Sequence, residues 1–301
     1  MKLRLVLPAL LLLAFCSARA GSVETHFPAD QSADEKTPLD LFSLQGGYVF
    51  SSELTDDRFS YGDQDVTDFS LEYVHRFHLG GKFYFGAGVS YGRFEFGDSA
   101  APVPDHLQSL AGVFSINYMV GADRGAFLEV RPGFYTQNDF DSSSFDIPIT
   151  AARAFVLQRD KVFLIIGANV AFLRGQYPVL PVAGLVWHFS DQWVLYGVVP
   201  EPRLTYSPNK NFSAFVGGQL TGGSYRTDRN NRIFPTRLNG AAVDYSDYRA
   251  SGGITWQIAN RVSLDLIGGY SITRRINFER AGYEYTSDPA PYVRAAFTAE
   301  F

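Results

Sequence analysis

The last eleven residues, PYVRAAFTAEF, constrain the fold more than any other part of this sequence. Val293, Ala295, Phe297, Ala299 and Phe301 fall on one face, and Tyr292, Arg294, Ala296, Thr298 and Glu300 on the other. Strict period-two patterning marks a strand with two unlike faces, and a strand of this length can cross a thin bilayer when tilted. The pattern recurs. Segment 69–77 sets Phe69, Leu71, Tyr73, His75 and Phe77 against Ser70, Glu72, Val74 and Arg76, and segments 82–92, 112–120 and 262–273 alternate likewise. In 301 residues there is no apolar run of 18 or more, and mean hydropathy is −0.06, so a bundle of transmembrane helices is excluded.

Alternation alone also suits a half-buried soluble sheet. The connections separate the two cases. Short polar turns at 78–82, 121–125, 158–161, 190–192, 207–211 and 259–261 alternate with longer connections at 54–65, 97–108, 137–146, 223–240 and 277–289. Aromatic residues flank the short turns: Phe77 and Phe83, Tyr118 and Phe127, Phe155 and Phe163, Tyr206 and Phe212. Trp187, Trp193 and Trp256 fall at the same end, where an amphipathic ring is best placed at a membrane interface. The expected fold is all-β, a transmembrane antiparallel up-and-down β-barrel with short periplasmic turns and longer external loops. Breaking 192–207 at Pro200-Glu201-Pro202 gives fourteen strands; twelve is the alternative if a segment such as 146–158 or 179–189 is not a full strand. Pro132, inside a good strand pattern, predicts a bulge.

Residues 1–20 carry a basic start, an apolar stretch from Leu5 to Phe15 and a small-x-small site at Ala18-Arg19-Ala20, the pattern of a cleaved signal peptide. Residues 21–38 read as a flexible periplasmic linker, leaving 39–301 for the barrel. Cleavage after Ala20 removes Lys2, Arg4 and Arg19 but no acid, so the net charge goes from −5 to −8. It also removes Cys16, the only cysteine, which rules out a disulfide framework and a thiolate nucleophile. The acidic balance argues against a nucleic-acid partner.

The face opposite the apolar rows supplies the lumen candidates: Glu72, Arg76, Asn117, Glu129, Arg131, Gln219, Asp265 and Arg294. One reading is an inward salt-bridge ladder; the other is a polar pathway whose selectivity these charges tune. From 162 to 189 both faces are apolar, which suits a lumen wall packed against another element, an oligomer interface, or a passage for hydrophobic or aromatic solutes. The loop charges segregate, with Asp139 and Asp141 among the N-terminal acids and Arg226, Arg229, Arg232, Arg237, Arg274 and Arg275 in the C-terminal part. They could set a transverse field across the mouth, or bind lipopolysaccharide phosphates. No catalytic constellation, metal site or cofactor motif emerges. Asp105-His106 is the one pair an outer-membrane hydrolase could use, and Asp139-x-Asp141 lacks the glycine and closing acid of a calcium loop.

An alternating last strand ending in Phe301 resembles the terminal strand of bacterial outer-membrane barrels, which the assembly machinery of that membrane recognises. The stretches FLEVRPGFYTQNDF (127–140) and VLPVAGLVWHFSDQWVLYGVVPEPRLTY (179–206) resemble an uncharacterised family of bacterial outer-membrane β-barrel domains. The resemblance implies topology and location and supplies no site residues. The expected role is a non-catalytic pore or channel for small solutes, or a structural barrel, in the bacterial outer membrane. Its expected partners are outer-membrane lipid, lipopolysaccharide and the assembly machinery. The alternatives are a transporter of hydrophobic solutes and a surface hydrolase.

Overall fold

The computed structural model describes residues 39–301 apart from 122–123, 176 and 231–232. The signal peptide and linker expected over 1–38 lie outside the described residues. The described residues form fourteen antiparallel strands. These are β1 (Asp40–Thr55), β2 (Ser60–Gly80), β3 (Phe83–Phe96), β4 (His106–Gly121), β5 (Arg124–Val130, continued by Gly133–Thr136) and β6 (Phe145–Asp146, continued by Ile149–Gln158). Then follow β7 (Val162–Val170), β8 (Val179–His188), β9 (Trp193–Val198), β10 (Arg203–Tyr206), β11 (Phe212–Arg226), β12 (Ala242–Ala259), β13 (Val262–Phe278) and β14 (Tyr283–Ser287, continued by Ala290–Glu300). Each strand pairs with the next, and β14 returns to β1 from Leu41↔Glu300 to Val49↔Tyr292. Closure matters because hydrocarbon offers backbone N–H and C=O groups no partner but the neighbouring strand.

The alternation resolves into an outside and an inside. On β14, Val293 is 51% exposed while Tyr292 and Arg294 on either side are 1% and 5% exposed. Phe69, Leu71, Val89, Ile116 and Leu266 are likewise exposed on the outer surface. A continuous outer surface of this kind would drive association in water and is stable against lipid tails. At the tight-turn end the outward Phe77, Phe83, Trp187, Trp193, Phe212 and Trp256 are all exposed, with Phe212 and Trp256 stacked at 6.1 Å.

Strand lengths are strongly unequal. A transmembrane strand needs about 9–11 residues. β2 has 21, β12 has 18 and β13 has 17, whereas β9 has six and β10 four. One side of the wall therefore rises beyond the bilayer and the other falls short. The tall strands curl until the ends of β5 and β11 meet in parallel at Thr136↔Arg226, with the Gln137 N–H donating to the Arg226 carbonyl at 3.0 Å. Gly222 sits near this departure of β11, at φ +130, where a Cβ would stand 2.1 Å from the Tyr245 carbonyl oxygen.

Two expected long loops are mostly strand. β1 runs to Thr55 and β2 starts at Ser60, while β13 runs to Phe278 and β14 starts at Tyr283. Polarity misleads here because the tall part stands outside the lipid, where outward residues are wet; the inward Leu54 and Val66 remain buried. The bulge expected at Pro132 is absent. Phe114↔Val130 and Ala111↔Gly133 keep one register, as do Val130↔Ile149 and Gly133↔Asp146, so no residue is extra. Pro132 simply lacks an N–H; its carbonyl accepts from Gly112 at 2.9 Å, and the Arg131 N–H donates to the Pro148 carbonyl.

The tall part is filled, not hollow. Val49, Val66, Phe94, Phe96, Tyr135, Tyr225, Tyr245 and Phe278 pack there, and Leu238 of the 227–241 connection is fully buried among them. Phe94 and Phe96 meet Tyr245 edge-on at 4.9 and 5.1 Å, a geometry favourable for aromatic quadrupoles.

Candidate functional site

Beneath the aromatic core, three arginines cross the lumen. The Arg131 Nε of β5 donates to Glu129 Oε1 at 2.8 Å and its Nη1 to Glu72 Oε2 of β2, also at 2.8 Å. The Arg249 Nε of β12 donates to Asp247 Oδ2 and its Nη2 to Asp68 Oδ2 of β2, both at 2.7 Å. The Ser271 hydroxyl donates to the other Asp247 oxygen at 2.6 Å, and the Arg249 guanidinium lies over the Tyr292 ring at 4.8 Å. Arg294 of β14 donates to Glu201 Oε1 at 3.1 Å and, through Nη2, to Gln45. Glu201 sits in the Pro200-Glu201-Pro202 turn and also accepts from Arg203 at 2.6 Å and from Gln219.

Arg249, Arg131 and Arg294 each reach over at least two intervening strands, so these bonds are chords across the barrel rather than ladder neighbours. Removing an ion from water costs several kcal/mol, and only well-placed partners offset that. Here each arginine has them.

The belt unites Glu72, Glu129, Arg131, Gln219 and Arg294 of the expected lumen residues. Asn117 lies nearer the tight turns and donates to the Ser115 hydroxyl at 3.1 Å. Arg76 shares the β2 face of Glu72, four residues closer to the turn. Asp265, opposite Thr255 and Ala296, has a buried Oδ1 with no hydrogen-bond partner among the described residues. The sequence reading missed Gln45, Asp68, Glu201, Arg203, Asp247 and Arg249. Parity could have found Asp68, which shares its face with Ser70 and Glu72, and Asp247 and Arg249, which share theirs with Val243 and Tyr245.

The loop charges interleave rather than face each other in rows. Asp228 accepts the backbone N–H groups of Asn138 and Asp139 at 2.8 Å each, and Arg229 reaches Asp141 at 4.0 Å. The Ser143 hydroxyl and backbone N–H hold the Asp141 carboxyl below its usual value. Arg226 donates to the Gly240 carbonyl at 2.8 Å, and Arg237 donates to the Tyr283 hydroxyl with its guanidinium over that ring at 4.5 Å. Arg232 lies outside the described residues. Arg274, expected in a loop, is instead an inward residue of β13, 2% exposed, donating to Ser52, Ser287 and the Gln64 carbonyl. The Phe301 carbonyl accepts the N–H of Leu39 at 2.7 Å, tying the last residue to the head of β1.

Asp105 and His106 do meet, Oδ1 to Nδ1 at 3.1 Å. Their alignment leaves Nε2 to receive a nucleophile's proton, yet that atom is buried with no hydrogen-bond partner among the described residues. Among those residues, no group of three or more His, Cys, Asp or Glu could hold a metal ion. On the lumen side of the apolar sector, Phe163, Ile165, Val186 and Val198 pack together with Ala152.

A closed ladder, an apolar exterior and a charged interior define a membrane-spanning β-barrel. No family model matches the chain, and no curated protein matches it. The resemblance to an uncharacterised barrel family is therefore carried no further than the barrel itself. Among solved structures the chain is similar to an outer membrane channel from Pseudomonas putida F1, at 13% identity and TM-score 0.48, covering 90% of this chain and 100% of that one. It is also similar to the P. putida toluene transporter TodX, at 11% identity and TM-score 0.47 over 95% of each chain. The translocator domain of the autotransporter NalP from Neisseria meningitidis gives 10% identity and TM-score 0.36, covering 89% of this chain and 90% of that one. These are likenesses of barrel architecture.

Proposed function

We propose that this protein is a non-catalytic channel for small solutes in the bacterial outer membrane, held shut at rest. The observation that carries the reading is the belt of Arg131, Arg249 and Arg294, whose ion pairs cross the lumen beneath a packed aromatic core. A purely structural barrel could fill that level with apolar side chains and avoid the desolvation cost of so many polar and charged groups. A belt of paired charges supports a path that polar solutes use once the pairs part. The terminal Phe301 and the lipid-facing rows support placement by the outer-membrane assembly machinery, among lipid and lipopolysaccharide. The packed apolar patch of Phe163, Ile165, Val186 and Val198 supports a second reading, carriage of apolar solutes.

Planar-bilayer recording on the refolded protein tests the first reading. Infrequent single-channel steps, separated by long silent intervals, are expected. A steady ohmic current from a wide pore would contradict the shut state. Silence in the wild type and in belt variants alike would leave a structural barrel.

A further inference from the structure

The wall of the barrel is incomplete on one side. Among the described residues, β8 pairs with β9 only over 184–188, so no described strand flanks residues 179–183 on that side. β11 pairs with β10 only over 214–217; above that, Gly218 and Leu220 donate to the Pro202 and Pro200 carbonyls, and the next strand contact is Arg226 with β5. Between β8 and β11, above the Pro200-Glu201-Pro202 turn, there is a gap in the ladder. Its height follows from the strand. Val179 lies eight residues above Trp187, about 26 Å along the strand and roughly 20 Å along the barrel axis at ordinary tilt. The gap thus opens within the outer half of an apolar band about 25 Å tall.

No strand among the described residues covers it. The plug of residues 171–175, running between Asp146 of β6 and Asp244 of β12, has Ala171, Leu173 and Arg174 buried and Phe172 64% exposed. Apart from the Ala171 N–H, which donates to the Pro178 carbonyl at 2.9 Å and prolongs the β7–β8 ladder, its ties among the described residues run through side chains. Asp146 accepts the N–H groups of Phe172 and Leu173 at 3.0 and 3.1 Å, Asp244 accepts that of Gly175 at 3.3 Å, and Arg174 donates to Asn169 at 2.8 Å. Among the described residues, no backbone–backbone hydrogen bond joins 172–175 to a strand. At the foot of the gap lies a small open cleft where Phe215 and Ile267 supply apolar wall beside Glu201 and Arg294.

We infer that this gap is a side port, through which small apolar solutes pass between the outer leaflet and the lumen when residues 171–175 swing out. A polar solute gains nothing by entering lipid, so a port at this depth suits the apolar class. The inference deepens the channel reading and rests on it for a lumen to reach.

The test locks the plug in the full chain. Gly175→Cys with Asp244→Cys joins plug to wall, in a Cys16→Ser background so that no other thiol is present. Bacteria bearing this barrel are offered N-phenylnaphthylamine, an apolar dye, before and after oxidation. The barrel-dependent uptake is expected to fall at least fivefold on oxidation and return with reductant. Equal uptake in both states, or no barrel-dependent uptake when reduced, would overturn the port. If the disulfide does not close, Asp146→Ala gives the converse reading: freeing the plug should raise uptake severalfold, and unchanged uptake counts against the port. Bilayer conductance of the oxidised barrel is read separately. Ion steps persisting while dye entry fails is the expected pair, and a port that works without any ion steps would retain the port and sink the shut channel.

Discussion

Arg131→Ala is expected to cost the folded barrel about 3–5 kcal/mol, because it strands two largely buried carboxylates. Glu72 and Glu129 both bond to that guanidinium at 2.8 Å, and their side chains are only 19% and 13% exposed. With the cation gone they face each other in a medium that screens them poorly. Reversible urea unfolding in lipid vesicles, followed by the interfacial Trp187, Trp193 and Trp256, measures the loss. The companion variant with Glu72→Gln and Glu129→Gln added should regain most of it. A triple variant as unstable as the single one would assign the loss to packing, and a loss below about 1 kcal/mol, the range of an exposed pair, would deny the burial argument.

Glu201→Gln is expected to open the channel. Glu201 is the hub for Arg294, Arg203 and Gln219, and it rides on the shortest hairpin of the wall, β9 with six residues and β10 with four. Few ladder bonds hold that hairpin, so the carboxylate contributes a large share of its fixation. A hydrogen bond to a charged partner contributes about 1.5–3 kcal/mol, equivalent to roughly tenfold to hundredfold in an open-to-shut ratio. Single-channel open probability should rise by that order. Because the variant exchanges an acid for a neutral amide beside two arginines, anion selectivity should rise with it. An unchanged open probability would remove Glu201 from the closure.

The alternation, the turn end of the barrel and the fourteen strands were legible because each depends on neighbours in sequence. Period-two parity told the inside of β14 from its outside, and two prolines around Glu201 revealed where a strand pair turns. The chords were not legible. Arg249 and Asp68 are 181 residues apart, and parity says only that both point inward, not that they meet. Strand height was hidden for a related reason. The outward face loses its apolar signature once it leaves lipid, so 54–65 and 277–289 looked like loops. Arg274 looked like a loop charge because its partners, Ser52, Ser287 and the Gln64 carbonyl, are neutral groups that leave no charge pattern to read.

The orientation of the apolar rows is open to one direct measurement. Single cysteines at Val89, Ile116, Leu266 and Val293, and at the opposite-facing Ser90, Ser115, Ile267 and Ala296, can be labelled with an environment-sensitive fluorophore after folding into vesicles of brominated lipid. The bromines should quench strongly at the first four and weakly at the second four, in alternation along each strand. Equal quenching at both sets, or the reverse order, would contradict a barrel whose greasy face meets the bilayer.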